Sequence, residues 1–403
     1  QLHEAVHGFF DSSTCRVVNA TGVVLHSGLG RAVYADEAIQ AVARATTYCL
    51  LEVEPEEGKR RRRDTFCEDL LCELTGAEAA FVVNNNAAAT MLILAATAPG
   101  KEVVVSRSQM IEIGGSFRLP DVFEASGCRL REVGTTNKSY LRDYEGAIGE
   151  ETGALMLVHT SNYRIVGFTE HVDLPEMVSL GKRRGVPVIH DLGSGSLIDL
   201  AMHGVYDEPP VQASVRAGAD LICFSGDKLV GGPQSGIIVG KKQWVDRVRK
   251  HPLARALRVD KLSCIGLETT LKLYLEPTKL HARIPTLRML ADSADQILLR
   301  AEALRHQLAP ILGDRGTLDI VPSTSELGAG TLPTHGLPTH CVALSVHGVA
   351  ADRIGRDLRV LPPVPVFARL REERVLFDPR TLQEGDASRV AEALEIVLKE
   401  TPA

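Results

Sequence analysis

The sequence predicts an α/β fold, with a mainly parallel central sheet in a large domain and a smaller α+β C-terminal domain. The first observation is that short β-branched runs alternate with longer amphipathic stretches between about residues 76 and 240, as in α/β units. The second is that these runs are almost continuously apolar, which is typical of parallel strands covered on both faces. The predicted strands are AAFVV (79–83), EVVVS (102–106), LREV (130–133), ALMLVH (154–159), VPVIHD (186–191), LICFS (221–225) and GIIVG (236–240).

The remaining elements follow in order along the chain. Amphipathic connectors such as LPEMVSLGKRRG (174–185) predict helices between the strands. After about residue 265 the pattern predicts a long helix (284–312), a Gly/Pro/Thr-rich loop (325–340), a strand (341–346), two short strands with a turn, and a helix (386–400). We therefore expect an N-terminal segment at 1–17, a large domain at 18–262 and a small domain at 263–403.

Composition narrows the class of protein. The 403 residues are 44% hydrophobic and 24% charged, with a formal net charge of −6, which is ordinary for a globular chain. A net acidic chain is not a general nucleic-acid coat, so we expect no DNA partner, although a local basic patch could bind a polyanion. No apolar run approaches the roughly 18 residues of a membrane helix.

Location and metal content follow from the N-terminus and the cysteines. The opening QLHEAVHGFF lacks the layout of a signal peptide, so we expect a cytoplasmic protein without a membrane partner. Its eight cysteines are scattered, and most lie in apolar runs. We interpret all eight as reduced core residues and expect no metal; a zinc site is the less favoured alternative.

Lys228 is the first candidate for chemistry. It follows a predicted strand through Ser-Gly-Asp and precedes a glycine-rich turn, at the edge of the sheet where parallel sheets bind ligands. A solvated surface lysine is the ordinary alternative. Asp191, however, ends another strand. An amine and a carboxylate at two strand ends fit pyridoxal phosphate, which needs a lysine for a Schiff base and an acid to keep its ring nitrogen protonated.

The phosphate of such a cofactor needs N–H donors. Strand 79–83 is followed by Asn84–Asn86 and then by small residues that open a helix, so Asn86 and Ala87 are candidate phosphate ligands. Simple helix capping by asparagine is the alternative. Ser225, at the end of another strand, is a further candidate.

Two segments after strands could contact the cofactor ring or the substrate. Gln109 and Glu112 are the alternatives for a residue over the ring. His159 and Asn162 are the alternatives for a contact to the ring oxygen or the substrate, and a structural role for His159 is equally well supported.

Arginines cluster at three places. Arg31 lies in a glycine-rich turn, Arg255 and Arg258 are three apart and so lie on one face of a predicted helix, and Arg60–Arg63 form a run. Guanidinium groups bind oxyanions in a bidentate manner. Helix-surface charge, a solvated loop and contacts to RNA phosphates are the alternatives, and the residues alone do not decide between them.

Several stretches together resemble one family, bacterial selenocysteine synthase, or L-seryl-tRNA(Sec) selenium transferase. The resemblance covers nearly the whole chain, and its motifs occur in order: VVNATGVVLHSGLGRA, LTGAEAAFVVNNNAAA, EIGGSFRLPDV, VGTTNKSYLRDYE, HTSNYRIVGFTE, VIHDLGSGSLIDL, FSGDKLVGGPQSGIIVG and HPLARALRVDKL. The family's helical N-terminal tRNA-binding domain has no counterpart before VVNATG, so we expect that domain to be lacking here.

The resemblance implies a fold type I enzyme, like aspartate aminotransferase, that uses pyridoxal phosphate. It implies that Lys228 carries the Schiff base, that Asp227 assists the chemistry and that Asp191 pairs with the pyridinium. Arg31, Arg255 and Arg258 would line the pocket for the selenium donor. The implied reaction is β-replacement on seryl-tRNA(Sec) with selenophosphate, through an aminoacrylyl intermediate.

The resemblance also implies partners and leaves alternatives. Fold type I enzymes build each active site from two subunits, so we expect at least a homodimer, or a larger ring. One alternative is a related pyridoxal phosphate enzyme that acts on a small amino acid or sugar acid by elimination, replacement or epimerisation. A non-catalytic tRNA-binding or scaffold protein is the other, and the presence of Lys228 and Asp191 argues against it.

Overall fold

A computed structural model describes residues 14–114, 117–160, 162–328 and 331–400. The chain forms two compact units. The larger unit contains residues 30–291 and 328–335, and the smaller one contains residues 1–29, 292–327 and 336–403. The N-terminal segment expected at 1–17 lies mostly outside the described residues, as do parts of the motif EIGGSFRLPDV and of the loop predicted at 325–340.

The strands are, in chain order, β1 (Val18–Ala20), β2 (Ala79–Val83), β3 (Glu102–Ser106), β4 (Glu112–Ile113), β5 (Phe117–Arg118), β6 (Arg129–Val133), β7 (Thr152–Val158), β8 (Val188–Gly193), β9 (Leu221–Ser225), β10 (Gly236–Gly240), β11 (Gly316–Gly328), β12 (Thr331–Val346), β13 (Val366–Arg371) and β14 (Arg374–Phe377). In the larger unit, seven of the described strands form one sheet in the order β2-β10-β9-β8-β7-β3-β6. Its pairings are parallel except for β10, which runs antiparallel to both β2 and β9. The predicted α/β class with a mainly parallel sheet is confirmed.

The α-helices are α1 (Asp36–Ala45), α2 (Thr65–Thr75), α3 (Asn86–Thr97), α4 (Leu119–Ala125), α5 (Leu141–Ala147), α6 (Leu174–Arg184), α7 (Val211–Ala217), α8 (Lys242–Lys250), α9 (Leu253–Ala256), α10 (Lys261–Leu273), α11 (Leu280–Arg283), α12 (Pro285–Ala291), α13 (Ala294–Leu312), α14 (Ala351–Val360) and α15 (Asp386–Glu400). Helix α3 is the most deeply buried, because its apolar residues from Leu92 to Leu94 are fully enclosed between the sheet and neighbouring helices. The apolar composition of this helix therefore fixes its first turn against the strand ends.

The smaller unit contains a sheet in the order β1-β13-β14-β12-β11. Strand β1 pairs in parallel with β13, with Val18 opposite Val366, and this pairing joins the first described residues to the C-terminal part of the chain. Helix α10 packs instead against α1 and α2 in the larger unit. The units are thus divided after residues 29 and 291, whereas the sequence placed the divisions after residues 17 and 262.

Two C-terminal expectations differ from the structure. The predicted helix at 284–312 is two helices, because Ser293 begins α13 with a capping box: its hydroxyl accepts from Gln296 N at 3.3 Å, and Gln296 Oε1 accepts from Ser293 N at 2.8 Å. The predicted loop at 325–340 lies largely in β11 and β12. Its glycines, prolines and threonines suggested a turn, but most of its residues belong to these two neighbouring strands.

The cysteines differ in their burial. Five cysteines are buried and Cys72 is half-buried, but Cys15 and Cys49 are exposed, so the interpretation of all eight as core residues is wrong for these two. All eight are free thiols.

Within the described part of the chain, no helix is long and apolar enough to cross a membrane.

A buried histidine predicts how stability depends on pH. His190 lies in β8, its Nδ1 is 2.9 Å from Ser214 Oγ, and burial, followed by the neighbouring His159, lowers its pKa to about 3. Between pH 3 and pH 6.5 the unfolded state therefore binds a proton that the folded state does not, and stability falls as pH drops through this window.

We expect His190→Asn to remove this contribution. Between pH 6.5 and pH 5 the free energy of unfolding of the parent should fall by about 2 kcal/mol more than that of the variant, at about 1.4 kcal/mol per pH unit. Urea unfolding at a series of pH values measures both curves. Parallel curves between pH 5 and pH 6.5 would contradict the prediction.

Candidate active site

Several polar residues lie together at one edge of the large sheet. Strands β7, β8 and β9 are adjacent and parallel, so His159, Asp191 and Ser225 lie at or just beyond their carboxyl ends. His159 N donates to Asp191 O at 2.8 Å. The chain continues from Ser225 through a tight turn to Lys228, in which Gly232 N donates to Gly226 O at 2.9 Å.

Asp191 is the most firmly held of these side chains. It is buried, with 5% of its surface exposed. Its Oδ1 accepts from Asn86 Nδ2 and from Gly193 N, and its Oδ2 accepts from Thr90 Oγ1, each at 2.9 Å. Three donors to one carboxylate fix its orientation. Sequence reasoning missed Thr90, although its position one helical turn after Asn86 was a usable signal.

Helix α3 begins beside Asp191 with two unused N–H groups. Asn85 is its N-cap: Asn85 Oδ1 accepts from Ala88 N at 2.9 Å and Asn85 O accepts from Ala89 N at 3.0 Å. The amides of Asn86 and Ala87 have no partner among the described residues, and they lie at the positive end of a buried 12-residue helix. Capping thus falls to Asn85, and the first turn can still bind an anion.

Ser225 is linked to this helix start through Gly236. Strand β10 pairs Gly236 with Val83 on one side and with Ser225 on the other. The backbone of Asn85 crosses so close to Gly236 that a Cβ there would lie 2.0 Å from Asn85 O. The hydroxyl of the buried Ser225 has no partner in the described part of the chain. Strand β10 therefore contacts both Ser225 and the start of α3.

Lys228 has a perturbed and unpaired amine. Burial lowers its pKa, and the cation of Arg31 lowers it further, whereas Asp227, Asp191 and Glu208 act in the opposite direction. In the described structure, Nζ makes no hydrogen bond or ion pair. A lysine with a lowered pKa is more often neutral near pH 7 and so can act as a nucleophile or a base.

Arg31 forms an ion pair beside this lysine. Its Nη1 lies 2.6 Å from Asp227 Oδ2, and its backbone has φ 64°, a strained value for a residue other than glycine. Asp227 is largely buried while Arg31 is half-exposed, so the pair extends from the interior to the surface. The structure thus brings Arg31, Asp227 and Lys228 together.

His159 has a buried acid as its neighbour. Glu208 is 3% exposed, its Oε1 lies 3.5 Å from His159 Nε2, and neither carboxylate oxygen accepts a hydrogen bond from the described residues. A buried carboxylate without donors costs free energy, which is a feature of sites that bind a further group. Sequence reasoning missed Glu208, because it lies in a loop, YDEPP, with no chemical pattern of its own.

The other ring candidates have different contacts. Gln109 Oε1 accepts from Val158 N at 3.1 Å, so its amide holds the end of β7. Asn162 Nδ2 donates to the backbone oxygen of Glu112 at 3.0 Å. Glu112, the alternative to Gln109, and Asn162, the alternative to His159, therefore contact each other. His159, by contrast, has its Nε2 directed at Glu208.

The prediction that Arg255 and Arg258 lie on one face of a helix is wrong. Helix α9 ends at Ala256, and Arg258 forms an antiparallel bridge with Val83, while Asn84 N donates to Leu257 O at 3.0 Å. This pairing with the end of β2 draws the chain out of the helix. Arg255 and Arg258 nevertheless line one cavity of about 280 Å³, and the run Arg60–Arg63 lines the same cavity.

Gly236 offers a test of the site's framework. We expect Gly236→Ala to lower the free energy of unfolding by about 2 kcal/mol, because its Cβ would collide with backbone that cannot move away freely. Gly149→Ala is the matched control, since nothing lies within 4 Å of a Cβ there. Chemical denaturation measures both variants, and equal stabilities would show that Asn85 is not held against β10.

Comparisons with known proteins agree with this geometry. The family model described as L-seryl-tRNA selenium transferase matches residues 17–383. The L-seryl-tRNA(Sec) selenium transferase of Alkaliphilus metalliredigens is 49% identical over 400 residues, covering 99% of this chain and 85% of its own length. The protein of the same name from Geobacter sulfurreducens is 50% identical over 380 residues, covering 94% and 82%.

A solved structure of D-glucosaminate-6-phosphate ammonia-lyase has a TM-score of 0.66 with this chain. It covers 99% of this chain and 98% of its own, at 22% sequence identity. This likeness shows a shared fold and does not bear on the substrate.

Proposed function

Because the chain belongs to the L-seryl-tRNA(Sec) selenium transferase family, we propose that it converts the seryl group of seryl-tRNA(Sec) into a selenocysteinyl group. The predicted family is confirmed, and with it the dependence on pyridoxal phosphate and the assignment as a transferase. One observation of the site carries the proposal. The unpaired amine of Lys228 and the firmly held carboxylate of Asp191 lie at the carboxyl ends of neighbouring strands.

The residues present fit this cofactor. The carboxylate of Asp191 would hold the ring nitrogen, and the amides of Asn86 and Ala87 with the hydroxyl of Ser225 would hold the phosphate. The amine of Lys228 would bind the aldehyde carbon of the cofactor. Three polar groups around this edge have no hydrogen-bond partner among the described residues: Asn86 Oδ1, His159 Nε2 and the Glu208 carboxylate. When bound, pyridoxal phosphate supplies an electron sink for negative charge at the α-carbon of an amino acid.

The chain's own groups then move a proton. Lys228 Nζ, with its lowered pKa, takes the α-proton of the seryl group. The proton that Nζ gains is available to the hydroxyl that leaves from the β-carbon. Asp227 lies beside Lys228 in the chain, and its Oδ2 lies 2.6 Å from Arg31 Nη1. The ion pair fixes the orientation of the Asp227 carboxylate, and the guanidinium group partly neutralises its charge.

The donor is an anion, for which we propose selenophosphate. Arg31, Arg255 and Arg258 would bind it, and the exposed Arg255 makes no ion pair with the described residues. Guanidinium groups suit a tetrahedral oxyanion, because they supply paired N–H donors and remain charged.

The protein works in the cytoplasm and as at least a homodimer. Eight free thiols and a tRNA substrate support the first statement. The second rests on the general construction of fold type I sites from two subunits, and sedimentation of the purified protein measures it.

The direct test supplies purified protein with pyridoxal phosphate, seryl-tRNA(Sec) and selenophosphate. We expect selenocysteinyl-tRNA(Sec) from the parent. We expect at least a 1000-fold lower rate from Lys228→Ala, because this variant lacks the amine that the described structure places after the end of β9. Mass spectrometry of the released amino acid measures the product. No selenocysteine from a protein that holds the cofactor would refute the proposed reaction.

Attachment of the cofactor can be tested without turnover. Borohydride reduction of the protein with pyridoxal phosphate should label one peptide, the one that contains Lys228. Lys241 is the control residue, because its Nζ is held by Asp220 at 2.7 Å. A label on any lysine other than Lys228 would show that the assigned amine is wrong.

A further inference from the structure

The cavity lined by Arg255 and Arg258 holds more arginines than the proposed donor site uses. We call it the arginine cavity; it is lined by Glu52, Arg60, Arg61, Arg62, Arg63, Asp64, Phe81, Val82, Arg249, Ala254, Arg255, Arg258 and Val259. From the sequence, the run Arg60–Arg63 could be a solvated loop or an anion site. The ion pairs of each arginine show which guanidinium groups are already neutralised by an acid.

Three of the arginines are neutralised by acids other than Glu52. Arg249 lies 2.5 Å from Glu68 and 2.7 Å from Asp246, and Arg62 also pairs with Glu68. Arg61 pairs with Glu54 at 3.1 Å and stacks over the Phe66 ring at 3.9 Å from its centroid. These side chains have protein partners that account for their charge.

Of the other four arginines, three share one acid, Glu52. Its Oε2 lies 2.9 Å from Arg60, and its Oε1 lies 2.7 Å from Arg63 and 3.2 Å from Arg258. Arg255 has no ion pair within the described residues. One carboxylate therefore pairs with three guanidinium groups while a fourth, that of Arg255, lines the same cavity, so this part of the cavity keeps a net positive charge.

Backbone contacts hold this arrangement in place. Val53 and Arg60 form an antiparallel bridge, and Arg61 N donates to Glu52 O at 3.0 Å, so Glu52 and Arg60 belong to one hairpin. Arg63 Nη1 donates to Val259 O at 2.9 Å, which ties the hairpin to the segment of Arg258. The three guanidinium groups around Glu52 thus come from chain segments that are fixed to each other.

We propose that Glu52 is an internal counter-anion that occupies the place of the donor's phosphate group between Arg60, Arg63 and Arg258. Binding of the donor displaces the Glu52 carboxylate, and Arg60 and Arg63 are further donor-binding residues. The inference rests on the proposed function, because that function makes Arg258 a donor ligand.

The chemistry of the two anions supports the exchange. Hydrogen bonds from Arg63 and Arg60 hold the pKa of Glu52 below its usual value, so the side chain is a carboxylate at neutral pH. A phosphate dianion has more charge and more acceptor oxygens than one carboxylate, so it can displace Glu52 from several guanidinium groups at once. A carboxylate ligand would gain little over Glu52. The internal anion therefore selects for doubly charged oxyanions.

The test titrates the full-length protein, loaded with pyridoxal phosphate, with inorganic phosphate in a calorimeter. We expect Glu52→Gln to bind phosphate about tenfold more tightly than the parent, because a competing and repelling charge is removed while the side chain keeps its shape. Glu57→Gln is the matched control. It removes a charge from the same hairpin, but Glu57 pairs only with the exposed Lys59 at 2.7 Å, so phosphate affinity should not change.

Two further variants keep the outcome interpretable. Glu52→Asp keeps the charge but withdraws it from the arginines, and should tighten phosphate binding a few-fold even if Glu52→Gln does not fold. Arg258→Gln should abolish phosphate binding. If Arg258→Gln binds phosphate like the parent, the proposed donor site is wrong and the inference falls with it. If binding depends on Arg258 but neither Glu52 variant binds more tightly, the inference alone is overturned.

Discussion

The site depends on the way in which the Asp191 carboxylate is held. Its three donors come from the first two turns of α3, through Asn86 and Thr90, and from the backbone just after Asp191 itself, at Gly193. One buried acid therefore fixes the helix start relative to the end of β8. A buried carboxylate without donors would cost several kcal/mol, so this network stabilises the folded chain.

That network also separates two kinds of charge. Asp191 is fully supplied with donors, whereas Glu208, at a similar depth, has none from the described residues. Arg31 and Asp227 neutralise each other at 2.6 Å, while Lys228, next to Asp227 in the chain, has a lowered pKa and no ion pair among the described residues. The fold thus satisfies the groups that set geometry and leaves unsatisfied those that can exchange protons or bind another molecule.

Sequence patterns predicted the part of this site that strand ends determine. Lys228, Asp191 and Ser225 were identified because parallel strands align their carboxyl ends at one edge, and that rule needs no knowledge of side-chain packing. Arg258 was placed on a helix face because three-residue spacing suggests one turn. Its pairing with Val83 is a contact between distant segments, which local spacing cannot show. Thr90 and Glu208 were missed for related reasons, since only the folded chain brings them to the acid and the histidine.

The ion pairs of the run Arg60–Arg63 also could not be predicted from local sequence. From sequence, Arg60–Arg63 is a block of like charge that would repel itself, and a solvated loop was a reasonable interpretation. In the folded chain the block is divided: Arg61 and Arg62 find acids nearby, but Arg60 and Arg63 converge with Arg258 on Glu52. Guanidinium groups that converge in one cavity repel each other, and an anion among them reduces this repulsion. Because Glu52 supplies that anion from within the chain, the arginines can stay assembled without a bound ligand, at the cost of competing with every ligand that arrives.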